Sequence, residues 1–276
     1  MRKLWFLLSV FVTAGGFAQS KVSVEGKIVD ENGVAVEYAA VGIPSRGTGT
    51  LSGADGVFVL DVEALESDTV LLSHVSFMEL KMPLSDFAMT AGNVVMKSNE
   101  LDEVTVYSGK KKKSKLVGKG MKVPGGATMW TVGNKGCEIG SMVEADKVFE
   151  LHEISFNVRS NSIPGAKFSV NLYKEGETAG EFVNTLCKPV YFNVPVDEKS
   201  QKIKVEITDN VVVEPGRYFV SIIFVDYDNS AETSADSNRI YFPLYLKGSY
   251  KRNGVMGEFE EVPVNMGLSL KGFEYR

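Results

Sequence analysis

The chain has 276 residues, 44% of them hydrophobic, and its 30 Lys and Arg residues against 35 Asp and Glu residues give a formal net charge of −5. Loss of the basic residues Arg2 and Lys3 with a signal segment would change −5 to −7, and this acidic balance does not favour nucleic acid as a partner. The length suits two globular β domains that each bury a core of their own.

The N-terminus has the pattern of a signal peptide. Basic residues at positions 2–3 precede an apolar run over residues 4–14, and Gly16 and Ala18 are small residues at a cleavage site. The run is well short of the ~20 residues that a membrane anchor needs, and no later segment could span a bilayer either. The sequence therefore predicts a signal peptide over residues 1–18, no transmembrane segment, and export to the periplasm or cell surface.

Residues 22–107 carry the repeated signals of a small β-sandwich. Residues 22–29 alternate with period two and run into a turn at residues 30–33, where Asn and Gly accept a positive φ. Turn signals then recur about every ten residues, which is typical of a sandwich. Further strands are predicted at residues 39–43, 47–51, 57–60, 69–73, 93–96 and 104–107.

Three motifs in this segment resemble those of a known family. They are Gly26-Lys27-Ile28-Val29-Asp30-Glu31-Asn32-Gly33, Gly47-Thr48-Gly49-Thr50 and Asp55-Gly56-Val57-Phe58. With them, the segment resembles carboxypeptidase-regulatory-like modules, which are transthyretin-like sandwiches common in exported proteins of some Gram-negative envelopes. The chain departs from the family at residues 72–77, where the family usually has an aromatic-rich strand with a glycine. The resemblance implies a scaffold or docking module without catalytic residues.

Residues 101–106 read Leu-Asp-Glu-Val-Thr-Val and close this segment. A similar stretch follows the same module in TonB-dependent outer-membrane receptors, where a plug and a barrel come next. A barrel of about 22 strands needs about 220 residues, more than follow here, so we do not expect a receptor of that kind. We interpret residues 101–106 as the last strand of the module or its exit.

Residues 108–134 are rich in Lys and Gly and lack any hydrophobic period. Like charges repel one another, and Gly and Pro interrupt regular structure, so the composition predicts a solvated linker between two domains. A contact of the lysines with acidic lipid headgroups or acidic glycan is the alternative interpretation.

Residues 135–276 show the period-two signal again. Residues 152–158, 168–172, 203–207, 240–246 and 264–270 place apolar groups on one face, while residues 218–225 are apolar on both faces, as in a central strand. Apolar residues before and after His152 are out of step, which predicts a bulge near Leu151 or His152. The fold prediction is all-β, with a transthyretin-like sandwich at residues 22–107 and a jelly-roll-like sandwich at residues 135–276.

Chemical motifs are scarce in the sequence. His74 and His152 are isolated, with no ligand at metal-binding spacing, and no nucleophile elbow or phosphate-binding loop is present. The acidic loop at residues 226–232, with Asp236, has oxygens at alternate positions but lacks the glycine and glutamate of a calcium loop. A solvated loop is favoured there, with calcium as the alternative. We therefore assign no catalytic, cofactor-binding or metal-binding residue.

Two features of the sequence leave alternatives open. Cys137 and Cys187 form either a disulfide, which export would allow, or two free thiols. Stacking on sugar rings is a role open to several aromatic residues, although tyrosines of β proteins are mostly half-buried strand residues. These aromatic candidates are Trp130, Tyr173, Tyr191, Tyr227 and Tyr245.

Three functions remain, in decreasing order of preference. The first is a non-enzymatic envelope protein with a docking or structural role, and the second is a carbohydrate-binding protein serving polysaccharide capture. The third is a hydrolase with a shallow carboxylate site, for which the strand faces show no pair of acids at glycosidase spacing. The expected partner is an envelope protein or a glycan, and no cofactor is expected.

Overall fold

A computed structural model of the chain describes residues 20–65, 67–90, 93–99, 107, 109–178, 180–229 and 237–275. Strands dominate these residues, and the prediction of an all-β sandwich protein is confirmed. The predicted signal peptide at residues 1–18 and the predicted exit at residues 101–106 lie outside the described residues. No helix in the described part of the chain is long and apolar enough to cross a membrane.

The N-terminal sandwich consists of two small sheets around one hydrophobic core. Its strands are β1 (Ser20–Asp30), β2 (Ala40–Ile43), β3 (Thr48–Leu51), β4 (Val57–Ala64), β5 (Thr69–His74), β6 (Phe77–Pro83) and β7 (Asn93–Met96). One sheet has the strand order β4-β1-β7 and the other the order β3-β2-β5-β6. Ile28, Phe58 and Leu72 are buried in the core that the two sheets share.

The Asp30 turn explains the first sequence motif. The Asp30 Oδ1 atom accepts hydrogen bonds from the backbone N–H groups of Asn32 and Val34, both at 2.8 Å. Gly33 has a φ of 78°, which a residue with a side chain rarely adopts. The bond from Val34, together with those from Asn32, lowers the pKa of the Asp30 carboxyl. The carboxylate therefore favours the tight turn from β1 towards β2.

A short helix, α1 (Leu84–Met89), is a feature that the sequence analysis did not predict. It follows Pro83 and places Leu84 and Phe87 in the core, where Phe87 stacks on Phe58 with the ring centroids 5.8 Å apart. Six residues are too few to produce a readable helical period.

The second sandwich begins within the predicted linker. Its strands are β8 (Lys111–Val117), β9 (Met121–Thr131), β10 (Glu138–Ala145), β11 (Phe149–Val158), β12 (Ser160–Asn161), β13 (Lys167–Glu175), β14 (Phe182–Asn184), β15 (Val190–Asn193), β16 (Gln201–Val213), β17 (Gly216–Asp226), β18 (Arg239–Arg252), β19 (Phe259–Asn265) and β20 (Ser269–Tyr275). The larger sheet has the order β12-β18-β10-β17-β13-β14, with β9 and β19 paired to β18 and β15 paired to β13. The smaller sheet has the order β16-β11-β20-β8.

Aromatic side chains fill the space between these two sheets. Phe168 stacks on Phe224 with the centroids 5.0 Å apart, and Trp130 lies edge-on to Phe242 at 5.5 Å. Phe156 of the smaller sheet reaches the same cluster, so the core joins both sheets.

Two predictions about this sandwich are confirmed. The register of β11 shifts between Leu151 and Glu153 against both of its neighbours, which is the bulge expected near His152. Strand β17 lies between β10 and β13, and its residues from Tyr218 to Val225 are buried, as expected for a central strand.

The linker prediction at residues 108–134 is wrong for most of that segment. Strand β8 pairs with β20 from Lys111 opposite Tyr275 to Val117 opposite Ser269, and β9 pairs with β18. The lysines lie on an edge strand, where charged side chains hinder pairing with other chains and one buried residue, Leu116, anchors the strand. Backbone pairing therefore outweighs the repulsion between the lysines.

The single strand predicted over residues 264–270 is also wrong, because the chain turns there. Gly267 has a φ of 74°, and the Ser141 hydroxyl accepts hydrogen bonds from the N–H groups of Gly267 at 3.1 Å and Leu268 at 3.0 Å. Met266 and Leu268 are both fully buried, so the apolar alternation continues across the turn and conceals it.

Candidate functional site

A groove of about 1060 Å³ lies between the two sandwiches. The N-terminal sandwich contributes Tyr38, His74 and Phe77 to its lining, and the second sandwich contributes aromatic and amide side chains of β13 to β15. The second sandwich's contributors include Asn171, Tyr173, Phe182, Asn184 and Tyr191. Aromatic rings beside amide groups can stack on an apolar face of a ligand and hydrogen-bond its polar edge.

Two glycines bring the sandwiches together at one end of the groove. A Cβ atom on Gly42 would lie 2.6 Å from the Met256 side chain, and one on Gly49 would lie 2.7 Å from it. Both distances are shorter than van der Waals contact, so Met256 packs where only glycine leaves room. Gly49 belongs to the Gly-Thr-Gly-Thr motif, and contact with the second sandwich is therefore one function of that motif here.

Tyr38 connects the sandwiches through its hydroxyl group. It donates to Asp226 Oδ2 at 3.1 Å and accepts from Lys167 Nζ at 3.1 Å, and its ring lies edge-on to Tyr191 with the centroids 5.1 Å apart. Burial raises the pKa of Tyr38, so the phenol remains protonated and able to donate. The Tyr38 hydroxyl therefore uses both its donor and its acceptor capacity on residues of the second sandwich.

Asp226 was the first residue of the calcium-loop alternative. Its carboxylate accepts from Tyr38 and lies 3.7 Å from Lys135 Nζ. Residues 230–236 of that loop lie outside the described residues. Among the residues that are described, no group of three potential metal ligands occurs.

His74 acts as a neutral hydrogen-bonding group at the groove wall. Its Nδ1 accepts from the Ser76 N–H at 3.2 Å, which leaves the proton on Nε2 to be donated to the Tyr191 hydroxyl at 3.4 Å. Tyr191 in turn donates to the Glu37 carbonyl at 3.3 Å. Burial lowers the pKa of His74 to about 4, so the ring is uncharged at neutral pH. The other histidine, His152, lies away from the groove beside Glu150 at 2.8 Å.

A buried charged network lies behind the groove wall. Glu138 Oε1 accepts from Asn171 Nδ2 at 2.7 Å and from the Ser221 hydroxyl, and its Oε2 accepts from Arg252 Nη2 at 2.6 Å. Tyr173 donates to Oε2 at 3.4 Å, and burial followed by the charge of Glu138 raises the pKa of Tyr173. Asn171, Tyr173 and Arg252 also line the groove, so the network holds three lining side chains in position.

The aromatic candidates do not form an exposed strip. Trp130, Tyr173 and Tyr245 are buried, and Tyr227 is half-buried beside Phe224. Tyr173 and Tyr191 do meet at the groove, although they lie on different strands. Sequence reasoning found these two rings but could not place them together, and it did not find Tyr38, Asn171 or Asn184.

Both cysteines are free thiols. Cys187 is exposed and lines the groove, and its carbonyl accepts from the Ser76 hydroxyl at 3.3 Å. Cys137 is half-buried against the core of the second sandwich.

Comparison with known proteins gives limited similarity. No family model matches the chain. It is 29% identical over 123 residues to the TonB-dependent receptor SusC of Bacteroides thetaiotaomicron, a match that covers 44% of this chain and 12% of the receptor. The chain therefore spans about an eighth of that relative's length, and the receptor's activity does not transfer with it.

Similarity to solved structures is weaker. The cysteine protease and lectin-like domains of Cwp84, a surface layer associated protein of Clostridium difficile, match 79% of this chain and 47% of their own, with 13% identity and a TM-score of 0.32. A carbohydrate-binding module of the beta-sandwich super family matches 89% of this chain and 98% of its own, with 8% identity and a TM-score of 0.18. At such TM-scores neither structure carries an argument about this chain.

Proposed function

We propose that the chain is a non-enzymatic protein of the cell envelope that binds a glycan in the groove between its two sandwiches. The observation that carries the proposal is the lining of that groove, which includes the rings of Tyr38, Tyr191 and Phe182 and the amides of Asn171 and Asn184. Sugar rings offer an apolar face to aromatic side chains and hydroxyls to amides. The docking role implied by the N-terminal module is then performed jointly with the second sandwich.

The chemistry of the lining supports binding without catalysis. Among the described residues that line the groove, Glu79 is the one carboxylate. Glycoside hydrolysis by the usual mechanism needs two carboxyl groups about 5 to 10 Å apart. The nearby Glu138 is fully buried and committed to Arg252 at 2.6 Å, so it is not available as the second acid.

The envelope location rests on the sequence. The signal-peptide pattern at residues 1–18, the motifs that resemble a carboxypeptidase-regulatory-like module, and the partial similarity to an outer-membrane receptor all agree with it. The periplasm and the cell surface are both compatible with these features.

The test is binding of the chain from Gln19 onward to a panel of neutral polysaccharides and oligosaccharides, measured by glycan array and then by calorimetry. Cys187 lines the groove and is exposed, so Cys187→Trp should obstruct the groove without disturbing the core. We expect at least a roughly tenfold loss of affinity, about 1.4 kcal/mol, for any glycan that binds.

Val59→Trp is the matched control, because Val59 is 49% exposed on β4 and does not line the groove. It should bind like the unmodified chain. Absence of binding to every glycan in the panel would contradict the glycan proposal, as would binding that both tryptophan variants leave unchanged. Release of shorter saccharides from a bound glycan would refute the non-enzymatic assignment.

A further inference from the structure

The outer face of the smaller sheet carries a regular array of side chains. The strand register places Lys204, Ser155, Ser269 and Val117 in one row across the sheet, from β16 to β8. The neighbouring row contains Glu206, Glu153, Lys271 and Lys115, so two carboxylates lie on the same face. Alternate residues of the same strands point into the core, so these rows face outward.

Lysines border this face on two sides. Lys202 and Lys204 lie along β16, and Lys115 lies on β8, three strand spacings or about 14 Å away. Lys119 follows β8 and lies over the Tyr245 ring, with Nζ 5.7 Å from the centroid. We refer to Lys115, Lys119, Lys202 and Lys204 as the lysine border.

The positive charge of the lysine border is only partly balanced by carboxylates, because Glu153 attracts Lys115, Lys202 and Lys204 and Glu206 lies on the same face of β16. No described residue forms an ion pair with any of these four lysines, whereas Lys271 pairs with Glu153 at 2.7 Å. Burial and the charges of Lys119, Lys202 and Lys271 lower the pKa of Lys115. The two rows and the lysine border together keep an excess of positive charge, because five lysines, including Lys271, face the two carboxylates of Glu153 and Glu206.

The floor between the lysines is small and polar. Ser155 and Ser269 are 2% and 3% exposed, and Asn157 donates to the Tyr245 hydroxyl at 3.3 Å. These hydroxyl and amide groups are therefore covered, and a ligand on this face would meet the exposed lysines instead. Val117 is the one exposed large apolar side chain among the described residues of these rows.

We propose that this face binds a linear polysaccharide that carries carboxylate or sulfate groups, laid along the sheet between the two lines of the lysine border. The excess of exposed lysines favours a polyanion by charge complementarity. A bilayer surface is the less suitable partner, because lipid binding by a surface face gains much of its strength from apolar side chains that insert. This site is separate from the groove between the sandwiches and does not depend on the proposed function.

The experiment compares dextran sulfate with neutral dextran of the same length, using biolayer interferometry on the chain from Gln19 onward. We expect binding to dextran sulfate alone, weakening steeply as salt rises because bound counterions are released. Lys202→Glu with Lys204→Glu should reduce the affinity at least roughly tenfold and make the salt dependence shallower. Lys202→Gln with Lys204→Gln should give a smaller loss in the same direction.

Lys21→Glu with Lys27→Glu is the control for net charge, because both of these lysines are exposed on β1 of the other sandwich. It should leave the affinity within about twofold, since long-range steering is screened over ~10 Å at moderate salt. Equal losses in both double Glu variants would overturn the site, as would equal binding to neutral dextran.

Vesicles of phosphatidylcholine with phosphatidylserine form the third arm. Binding to these vesicles without binding to dextran sulfate would refute the polysaccharide assignment and identify a lipid surface instead. Cys187→Trp should not alter binding to dextran sulfate, so failure of the groove proposal and failure of this one are distinguishable.

Discussion

Replacing Glu138 with leucine should destabilise the second sandwich strongly. The Glu138 side chain is 0% exposed and is the only acid within ion-pair distance of Arg252 among the described residues. Its loss leaves a mostly buried guanidinium without a counter-charge and removes the acceptor used by Asn171 and Ser221. Breaking a buried pair from one side costs about 3 to 5 kcal/mol, and each stranded donor adds to that cost. We therefore expect a loss of at least about 4 kcal/mol.

Urea unfolding followed by tryptophan fluorescence measures this loss directly. Trp130 lies in the core of the second sandwich, and the other tryptophan, Trp5, is absent from a chain that starts at Gln19. The matched control is Glu260→Leu, since Glu260 forms a half-exposed pair with Lys251 at 3.1 Å. Such surface pairs contribute at most about 1 kcal/mol.

The double variant Glu138→Leu with Arg252→Met separates charge from packing. Removing both charges should recover much of the stability lost in the single variant, because no uncompensated ion remains buried. A single Glu138→Leu variant within about 1 kcal/mol of the unmodified chain would refute the reasoning, as would a double variant less stable than the single one.

Two further predictions concern the contact between the sandwiches. The pKa of His74 is about 4 in the folded chain, below its ordinary value of 6.5, so the unfolded chain binds more protons between these values and stability falls as pH drops from 6.5 to 4. The free energy of unfolding, measured by urea titration, should fall by about 2 to 3 kcal/mol over this pH range, and a His74→Gln variant should lack this fall. An equal pH dependence of the variant would contradict the prediction. The added Cβ of Gly49→Ala would lie 2.7 Å from the Met256 side chain and 2.8 Å from the Val41 carbonyl oxygen, so this variant should cost about 1 to 3 kcal/mol in thermal unfolding. Gly133→Ala, whose added Cβ meets nothing closer than 3.5 Å, should be neutral. Equal melting temperatures of the two alanine variants would argue against tight packing at Gly49.

The alternation of apolar and polar residues predicted most strands. It failed where a lysine-rich composition concealed a strand and where buried residues on both sides of a turn concealed the turn. The bulge near His152 could be found because a change of phase in the apolar pattern is a local signal. Strand β8 could not be found from the sequence, because its lysines occupy both faces of an edge strand and leave Leu116 as its one buried residue. The turn at Gly267 was concealed because buried residues continue on either side of it.

The groove could not be predicted from the sequence for a different reason. Its walls come from residues far apart along the chain, such as Tyr38, His74 and Tyr191, which become neighbours only after both sandwiches have folded. Glycines conceal such contacts further, since the need for Gly49 arises in part from Met256 in the other sandwich. No local pattern encodes a contact of that range.

The position of β20 determines the order in which the two sandwiches can form. Strand β20 lies between β11 and β8, so Lys111 meets its partner Tyr275 only after about 160 further residues have been made. The strands of the N-terminal sandwich are complete by Met96 and, among the described strands, pair only with one another, so they do not depend on so distant a partner. The smaller sheet closes only when its last strand is in place, and until then β8 and β11 lack a shared neighbour.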